Sequence, residues 1–252
     1  MIIDLTGSRG FIGSHLKTAL EKEGHTVVEW DRHEAVKKDI SQYEPSKGIG
    51  MVIHLAAMAD VRKSIEQPEV YWQNNVINTT RIQKKCNEIN VPLLYASSSC
   101  IHKWWLSPYG TSKKVNEETA FDRQIGLRFT TVYGDGARDT MFMGRLLSGN
   151  LAYSTNHIRD FIHVSDVVSA IFAIIKANNP LQRAYDIGNG VGNTVSDLAK
   201  LAGYDIPIKD GDTCEAENNT ADVTNLINEF DWKPKINAKQ YIAERIKEGI
   251  PV

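Results

Sequence analysis

The chain has 252 residues, 42% hydrophobic and 24% charged, with a formal net charge of -2. It is long enough to bury a sizeable core as one large domain or two unequal lobes, and it has no basic excess to advertise nucleic acid or an anionic membrane. Three dispersed cysteines (Cys86, Cys100, Cys214) argue against a zinc site or disulfide framework, and no apolar run nears the roughly 20 residues that span a bilayer, so a cytoplasmic soluble protein without a signal peptide is expected.

The first element is a strand, "MIIDLTG", whose apolar run Asp4 interrupts. "FIGSHLKTALEKEG" follows with apolar residues at Phe11, Ile12, Leu16, Ala19 and Leu20, a helical spacing closed by Gly24. "HTVVEWD" and "GMVIHLAA" read as strands. An amphipathic run of about 68–90 leads to the strand "VPLLYASS", the helix "SPYGTSKKVNEETAF" and the strand "IGLRFTTVYG". This alternation predicts an α/β fold, a doubly wound parallel sheet with helices on both faces. After Gly134 the rhythm loosens. Helical pieces are expected near 166–177, 195–202, 222–230 and 238–248, and "AYDIGNG" as a further strand. The expected division is a dinucleotide-binding domain at 1–131, rejoined by about 160–187, and a smaller substrate lobe at 132–159 and 188–252.

"TGSRGFIG" places Gly7, Gly10 and Gly13 between the first strand and first helix, and Asp31 ends the second strand. Gly7 allows a tight turn, Gly10 lets backbone approach a pyrophosphate, and Gly13 permits close packing of the helix. The helix N-terminus offers free N–H groups to phosphate, and Asp31 can accept hydrogen bonds from ribose hydroxyls. Asp31 favours NAD, since a carboxylate repels a ribose phosphate. Arg9 and Arg32 flank the same place, which leaves NADP open.

Two Tyr-x-x-x-Lys pairs occur. Tyr43–Lys47 contains a proline, which opposes the helix needed to align the two side chains. Tyr109–Lys113 lies in a plausible helix, which would set both on one face. An ammonium beside a phenol favours the phenolate and makes it a usable acid or base near neutrality. The preceding strand ends in Ser97, Ser98 and Ser99 at the edge of the sheet where open parallel sheets bind ligands. His54 and His163 are expected to pack or cap, and Asp160 and Asp166 to be structural. No His/Cys/Asp cluster has metal spacing. Trp104 and Trp105 are expected to pack in the core or against a partner subunit.

With these motifs in view, the chain resembles the extended short-chain dehydrogenase/reductase family, in its nucleotide-sugar epimerase/dehydratase branch. "TGSRGFIGSHL" (Gly7, Arg9, Gly10, Phe11, Ile12, Gly13) looks like that family's cofactor loop. Asp31 with Arg32 falls at its ribose acid, Asp39 and Ile40 at its adenine contact, and Leu55, Ala56 and Ala57 at the strand end that lines the cofactor. Asn75 stands in the asparagine's place of its Asn-Val-x-Gly-Thr helix. "PYGTSK" resembles its catalytic Tyr-x-x-x-Lys, and counting from the family's Ser/Thr-x-x-x-Tyr-Gly pattern selects Ser98 as the catalytic serine, with Ser97 or Ser99 as alternates. "RDFIHVSDVV" resembles the segment whose arginine, here Arg159, grips the nucleotide diphosphate. The stretches around "AAMADVRKSIEQP" and "TVYGDGARDTM" resemble the UDP-glucuronate 4-epimerases, which puts Thr131 and Arg138 at sugar-handling positions. Family 4,6-dehydratases carry Asp-Glu after the catalytic hydroxyl residue. Ser99 and Cys100 stand there instead.

The resemblance implies an NAD-dependent nucleotide-sugar epimerase acting at C4 through a transient 4-keto intermediate, with Ser98, Tyr109 and Lys113 catalytic. The expected partners are a nucleotide-diphosphate sugar and, by family habit, a second copy in a homodimer. The alternatives are an NAD(P)H-linked nucleotide-sugar reductase or dehydrogenase and a non-catalytic dinucleotide-binding member. The link from Ser98 to Tyr109, "SCIHKWWLSPY", is shorter than the family's usual loop.

Overall fold

The computed structural model describes residues 1–177 and 180–249. Residues 178, 179 and 250–252, which fall within the expected lobes, lie outside the described ones. The elements in chain order are β1 (Ile2–Thr6), α1 (Phe11–Lys22), β2 (Thr26–Trp30), β3 (Met51–His54), α2 (Val61–Glu66), α3 (Pro68–Tyr71), a π-helical segment (Trp72–Ile77), α4 (Asn78–Glu88), β4 (Leu93–Ser98), a 3-10 segment (Ser99–Leu106), α5 (Pro108–Glu118) and β5 (Gln124–Phe129). They continue with β6 (Thr131–Tyr133), α6 (Phe142–Leu147), β7 (Ser154–Thr155), β8 (Ile158–His163), α7 (Val164–Lys176), β9 (Ala184–Ile187), β10 (Gly192–Thr194), α8 (Val195–Leu201), β11 (Ile208–Lys209), α9 (Thr224–Phe230) and α10 (Ala238–Lys247). Contacts divide them into two compact units, residues 1–128 with 180–185, and 129–177 with 186–249.

The first unit is organised by a six-stranded parallel sheet in the order β2-β1-β3-β4-β5-β9. The chain leaves β1 for β2 on one side and returns to β3 on the other, so the strand order reverses at β1. That switch opens a crevice beyond the carboxyl ends of β1 and β3. The loops after β1, β2 and β3, which hold Gly7, Arg9, Gly10, Asp31, Arg32, Asp39, Leu55, Ala56 and Ala57, emerge at that edge, as does the loop after β4. Beneath it Val52, Leu93, Tyr95, Ile82 and Cys86 pack with Ile40 and Tyr43 into a core. The anomalous Asp4 in β1 has its explanation here. Its buried carboxylate accepts from Tyr43 Oη at 2.8 Å and from Ser46 N at 3.0 Å. Tyr43 is fully buried and edge-on to Trp30, so it serves as a core strut while Lys47 of the same pair is exposed.

In the second unit β10, β8 and β6 form a three-stranded sheet, with β6 parallel and β10 antiparallel to β8. Its core gathers Tyr133, Met143, Leu146, Phe161, Leu198 and Ile242. The apolar stretch "IGLRFTTVYG" divides at Thr130, where β5 leaves one sheet and β6 joins another. Asp160 is buried and accepts backbone N–H groups from Asn189, Gly190 and Ala221. Asp166 accepts from Lys235 N and Ile236 N, and His163 caps α7 by accepting from Ser165 N. These are structural duties. Among the described residues no helix is long and apolar enough to cross a membrane.

Candidate active site

The turn after β1 is built on backbone contacts too close for side chains. Gly7 adopts φ +70, and a Cβ on it would lie 2.7 Å from Ala56 N. A Cβ on Gly13 would lie 1.9 Å from Gly7 O, so α1 starts directly on the turn. Gly10 is the N-cap of α1 and supplies no side-chain cap, which leaves the first-turn N–H groups available to an anion. Beside this turn lies a cavity of about 370 Å³. Gly7, Arg9, Gly10, Asp31, Arg32, Ile40, Leu55, Ala56 and Ala57 line it, together with His33, Lys38 and Asn74, which sequence reasoning missed. Phe11, Ile12, Gly13, Asp39 and Asn75 are not in that lining. Phe11 and Ile12 sit half-buried in the first turn of α1, and Asp39 caps the 3-10 turn that seats buried Ile40 by accepting from Ser41 N at 2.7 Å.

Asp31 closes the mouth of the glycine turn. Its Oδ2 accepts from Arg9 N and its Oδ1 from His33 N, both at 2.9 Å. Each oxygen retains a lone pair for a ribose hydroxyl. Arg9 is engaged elsewhere. Its guanidinium meets Glu29 through Nη2 and Nε, each at 2.8 Å, and Glu29 also binds Ser8 Oγ and Lys17. Arg32 is exposed and lies 3.8 Å from Asp39.

Downstream, β4 delivers three serines with different fates. Ser97 Oγ donates to Glu117 Oε1 at 2.6 Å, and Glu117 also takes two hydrogen bonds from Arg128, so Ser97 is committed to an ion-pair network. Ser98 ends the strand, 5% exposed, and caps the 3-10 segment by accepting from Cys100 N. Its hydroxyl proton remains available to donate. Ser99 is buried at the start of the 3-10 segment.

The shortened link then folds back as that 3-10 segment, with a kink at Lys103. Ser107 caps α5 by accepting from Gly110 N, and Pro108 occupies its first turn, a strong helix-start combination. Gly110 is required by the return, because a Cβ there would sit 2.8 Å from Trp104 O. Tyr109 and Lys113 occupy one face of α5, and the Lys113 amino group lies 5.7 Å from the Tyr109 ring centroid. Tyr109 is 7% exposed, edge-on to Tyr71, with its backbone N–H donated to Ser64 Oγ. Lys113 is 2% exposed and donates to Ala96 O at 2.8 Å, two residues before Ser98 on β4. Burial pushes its amino group down from 10.5 to about 7. Nearby, burial and then the Lys113 charge pull His54 down to about 3, so it stays neutral as a strut between Thr6 and Thr79.

Asn75 is fully buried. It holds Met58 through both backbone groups, N–H and C=O, and donates to Ser112 Oγ on α5, so it ties the loop after β3 to the helix carrying Tyr109. Glu117 extends the stripe of Tyr109 and Lys113 by one more turn, a spacing that could have found it. Glu29 had no comparable local signal. Trp104 and Trp105 are 39% and 62% exposed, so the expectation of core packing fails for both. The 3-10 segment turns them outward because its own backbone lies against α5.

The second unit holds the remaining predicted residues. Thr131 opens β6 half-buried, and Arg138 is exposed in the loop before α6. Arg159 is engaged within the unit, donating to Glu215 at 2.9 Å, Ala216 O at 2.7 Å and Ile158 O at 3.0 Å, with its Nη2 2.8 Å from His157 Nδ1.

The glycine cradle, the open helix N-terminus and the ribose-facing carboxylate fit NAD. The chain is similar to known proteins throughout. Protein CapI of Staphylococcus aureus is 31% identical over 70% of this chain and 70% of its own. UDP-glucuronate 4-epimerase 4 of Arabidopsis thaliana is 26% identical, over 81% of this chain and 63% of that one. The solved structure of MoeE5 in complex with UDP-glucuronic acid and NAD matches 99% of this chain and 100% of that one, at 28% identity and a TM-score of 0.86. A family model matches residues 3–188, and on it this chain belongs to the NAD-dependent epimerase/dehydratase family.

Proposed function

We propose that this protein inverts the C4 configuration of a nucleotide-diphosphate sugar. The observation that supports the reading most is Tyr109 and Lys113 on one face of α5, both buried, with Lys113 bonded to Ala96 O two residues before Ser98 on β4. The glycine turn, Asp31 and the loop after β3 would hold NAD, which would supply reversible hydride exchange when bound. Tyr109 takes the proton of the sugar 4-hydroxyl and returns it after the 4-keto sugar has turned over. Ser98 donates a hydrogen bond to the same oxygen. Lys113, when protonated, favours the phenolate of Tyr109. Thr131, Arg138 and Arg159 are the second unit's candidate substrate contacts.

Epimerisation is favoured over dehydration because Ser99 and Cys100 follow Ser98, where expulsion of water would need a second acid–base pair. Incubation with a panel of nucleotide sugars and NAD, read by NMR, tests the reading. A 4-epimer without net NADH is expected. Stoichiometric NADH change would favour a reductase or dehydrogenase, and loss of water a dehydratase. Tyr109→Phe should lower kcat at least about 10²-fold while NAD affinity changes little. Wild-type turnover in that variant would refute the assignment. We further propose a cytoplasmic homodimer. A groove of about 590 Å³ beside α3 and α5, lined by Ile65, Trp72 and Trp105, offers an apolar face for a second copy.

A further inference from the structure

The cofactor cavity carries an electrostatic puzzle. Its lining holds three cations, Arg9, Arg32 and Lys38, and one acid, Asp31. Such a rim would suit a ribose phosphate, yet the family uses NAD. The answer lies in how the cations are engaged. Lys38 sits over the Trp30 ring, 5.1 Å from its centroid. Arg32 reaches only a long contact with Asp39, and both are well exposed, so that pair is weak. Arg9 is held by both oxygens of Glu29, a geometry that fixes the direction of the guanidinium.

Glu29 lies two residues before Asp31 on β2. Both engage the same turn. Asp31 takes the backbone N–H of Arg9, and Glu29 takes its side chain. Ser8 and Lys17 hold Glu29 in place from two further directions. Burial raises the Glu29 carboxyl, but hydrogen bonds from Lys17, Ser8 and Arg9 outweigh it and keep the group below its ordinary range, so it is ionised at neutral pH.

We propose that Glu29 is a cofactor-specificity determinant, which turns Arg9 away from the adenosine ribose and so keeps an arginine in the phosphate turn from recruiting NADP. Asp31 repels a 2′-phosphate directly. Glu29 acts by occupying a cation of the phosphate turn that would otherwise compensate. The inference rests on Asp31 facing the ribose but not on the sugar chemistry, so binding alone tests it.

The experiment is titration of the full chain with NAD and with NADP by calorimetry, at fixed low salt. Glu29→Gln should tighten NADP relative to NAD by about tenfold, with NAD itself little changed. Adding Arg9→Gln to that variant should abolish the gain, because the gain runs through the freed guanidinium. An unchanged NADP/NAD ratio in Glu29→Gln, or a gain that survives the loss of Arg9, would overturn the proposal. Should Glu29→Gln fail to fold, Arg9→Gln alone decides. It bares the Glu29 charge, so discrimination against NADP should sharpen, and an unaltered ratio would overturn the proposal equally. Failure of epimerase activity in any of these proteins bears only on the proposed function.

Discussion

A lysine amino group that is 2% exposed and pushed down to about 7 burdens the fold whenever it is charged. Against an ordinary value of 10.5, the shift corresponds to about 5 kcal/mol at or below pH 7. Lys113→Met keeps much of the stem and removes the charge. It also removes the hydrogen bond to Ala96 O, a loss of about 1–3 kcal/mol. The variant should therefore be more stable than the wild type by roughly 2–4 kcal/mol at pH 6 to 7. The sign of the pH dependence follows from proton counting. Between about 7 and 10.5 the unfolded chain binds the lysine proton and the folded chain does not, so wild-type stability climbs with pH at about 1.4 kcal/mol per unit. The advantage of the variant should shrink across that window and reverse above it. Urea unfolding of both proteins without added cofactor, at pH 6, 7, 8 and 9, reads the difference. A difference that does not change with pH, or a variant less stable at pH 6, would refute the reasoning. The same substitution should abolish turnover, so stability and activity would be traded at a single atom.

Two other substitutions probe the shortened loop and the serine run. Gly110→Ala places a Cβ against the Trp104 backbone, which cannot rotate away as a side chain would. It should cost about 1–3 kcal/mol in thermal unfolding and lower kcat, and an unperturbed melting temperature would show that the 3-10 segment is free to shift. Ser98→Ala should lower kcat by about 10²-fold or more, while Ser97→Ala should leave kcat within a few fold and lose about 1–3 kcal/mol of stability through the lost hydrogen bond to the Glu117 carboxylate. The opposite ranking of the two in steady-state assays would reassign the catalytic hydroxyl.

Much of the first unit was legible because its signals are local. Gly7, Gly10 and Gly13, the alternation of strands and helices, and Tyr109 with Lys113 one turn apart each encode geometry within a few residues. The choice of Ser98 over Ser97 and Ser99 followed from a counted spacing, and the Glu117 bond now supplies a physical reason to set Ser97 apart. What escaped was long-range. Nothing near Glu29 in the sequence says that it will meet Arg9, since that pairing forms only when β2 lies beside the turn after β1. The break at Thr130 sits in an unbroken run of strand formers, so only the competition between two sheets reveals it. The outward turn of Trp104 and Trp105 depends on a backbone-to-backbone approach at Gly110. The acid that pairs with Arg159, Glu215, is likewise distant in sequence.

The π-helical segment between α3 and α4 resolves a problem of phase. The buried stripe of this helical run passes through Tyr71, Asn75, Thr79, Ile82 and Cys86. Those steps average about 3.75 residues per turn, against 3.6 for an α-helix. Over four turns a regular helix would drift by about 60°, enough to swing Asn75 off Met58 or Cys86 out of the core. The i→i+5 segment at Trp72–Ile77 winds more slowly and absorbs the surplus. One end of the run can then brace the helix of Tyr109 while the other stays locked under the sheet. Deleting a single residue within Trp72–Ile77 would thus set the support of the Tyr109 helix and the packing of the core against each other, although it removes neither Tyr109 nor Lys113.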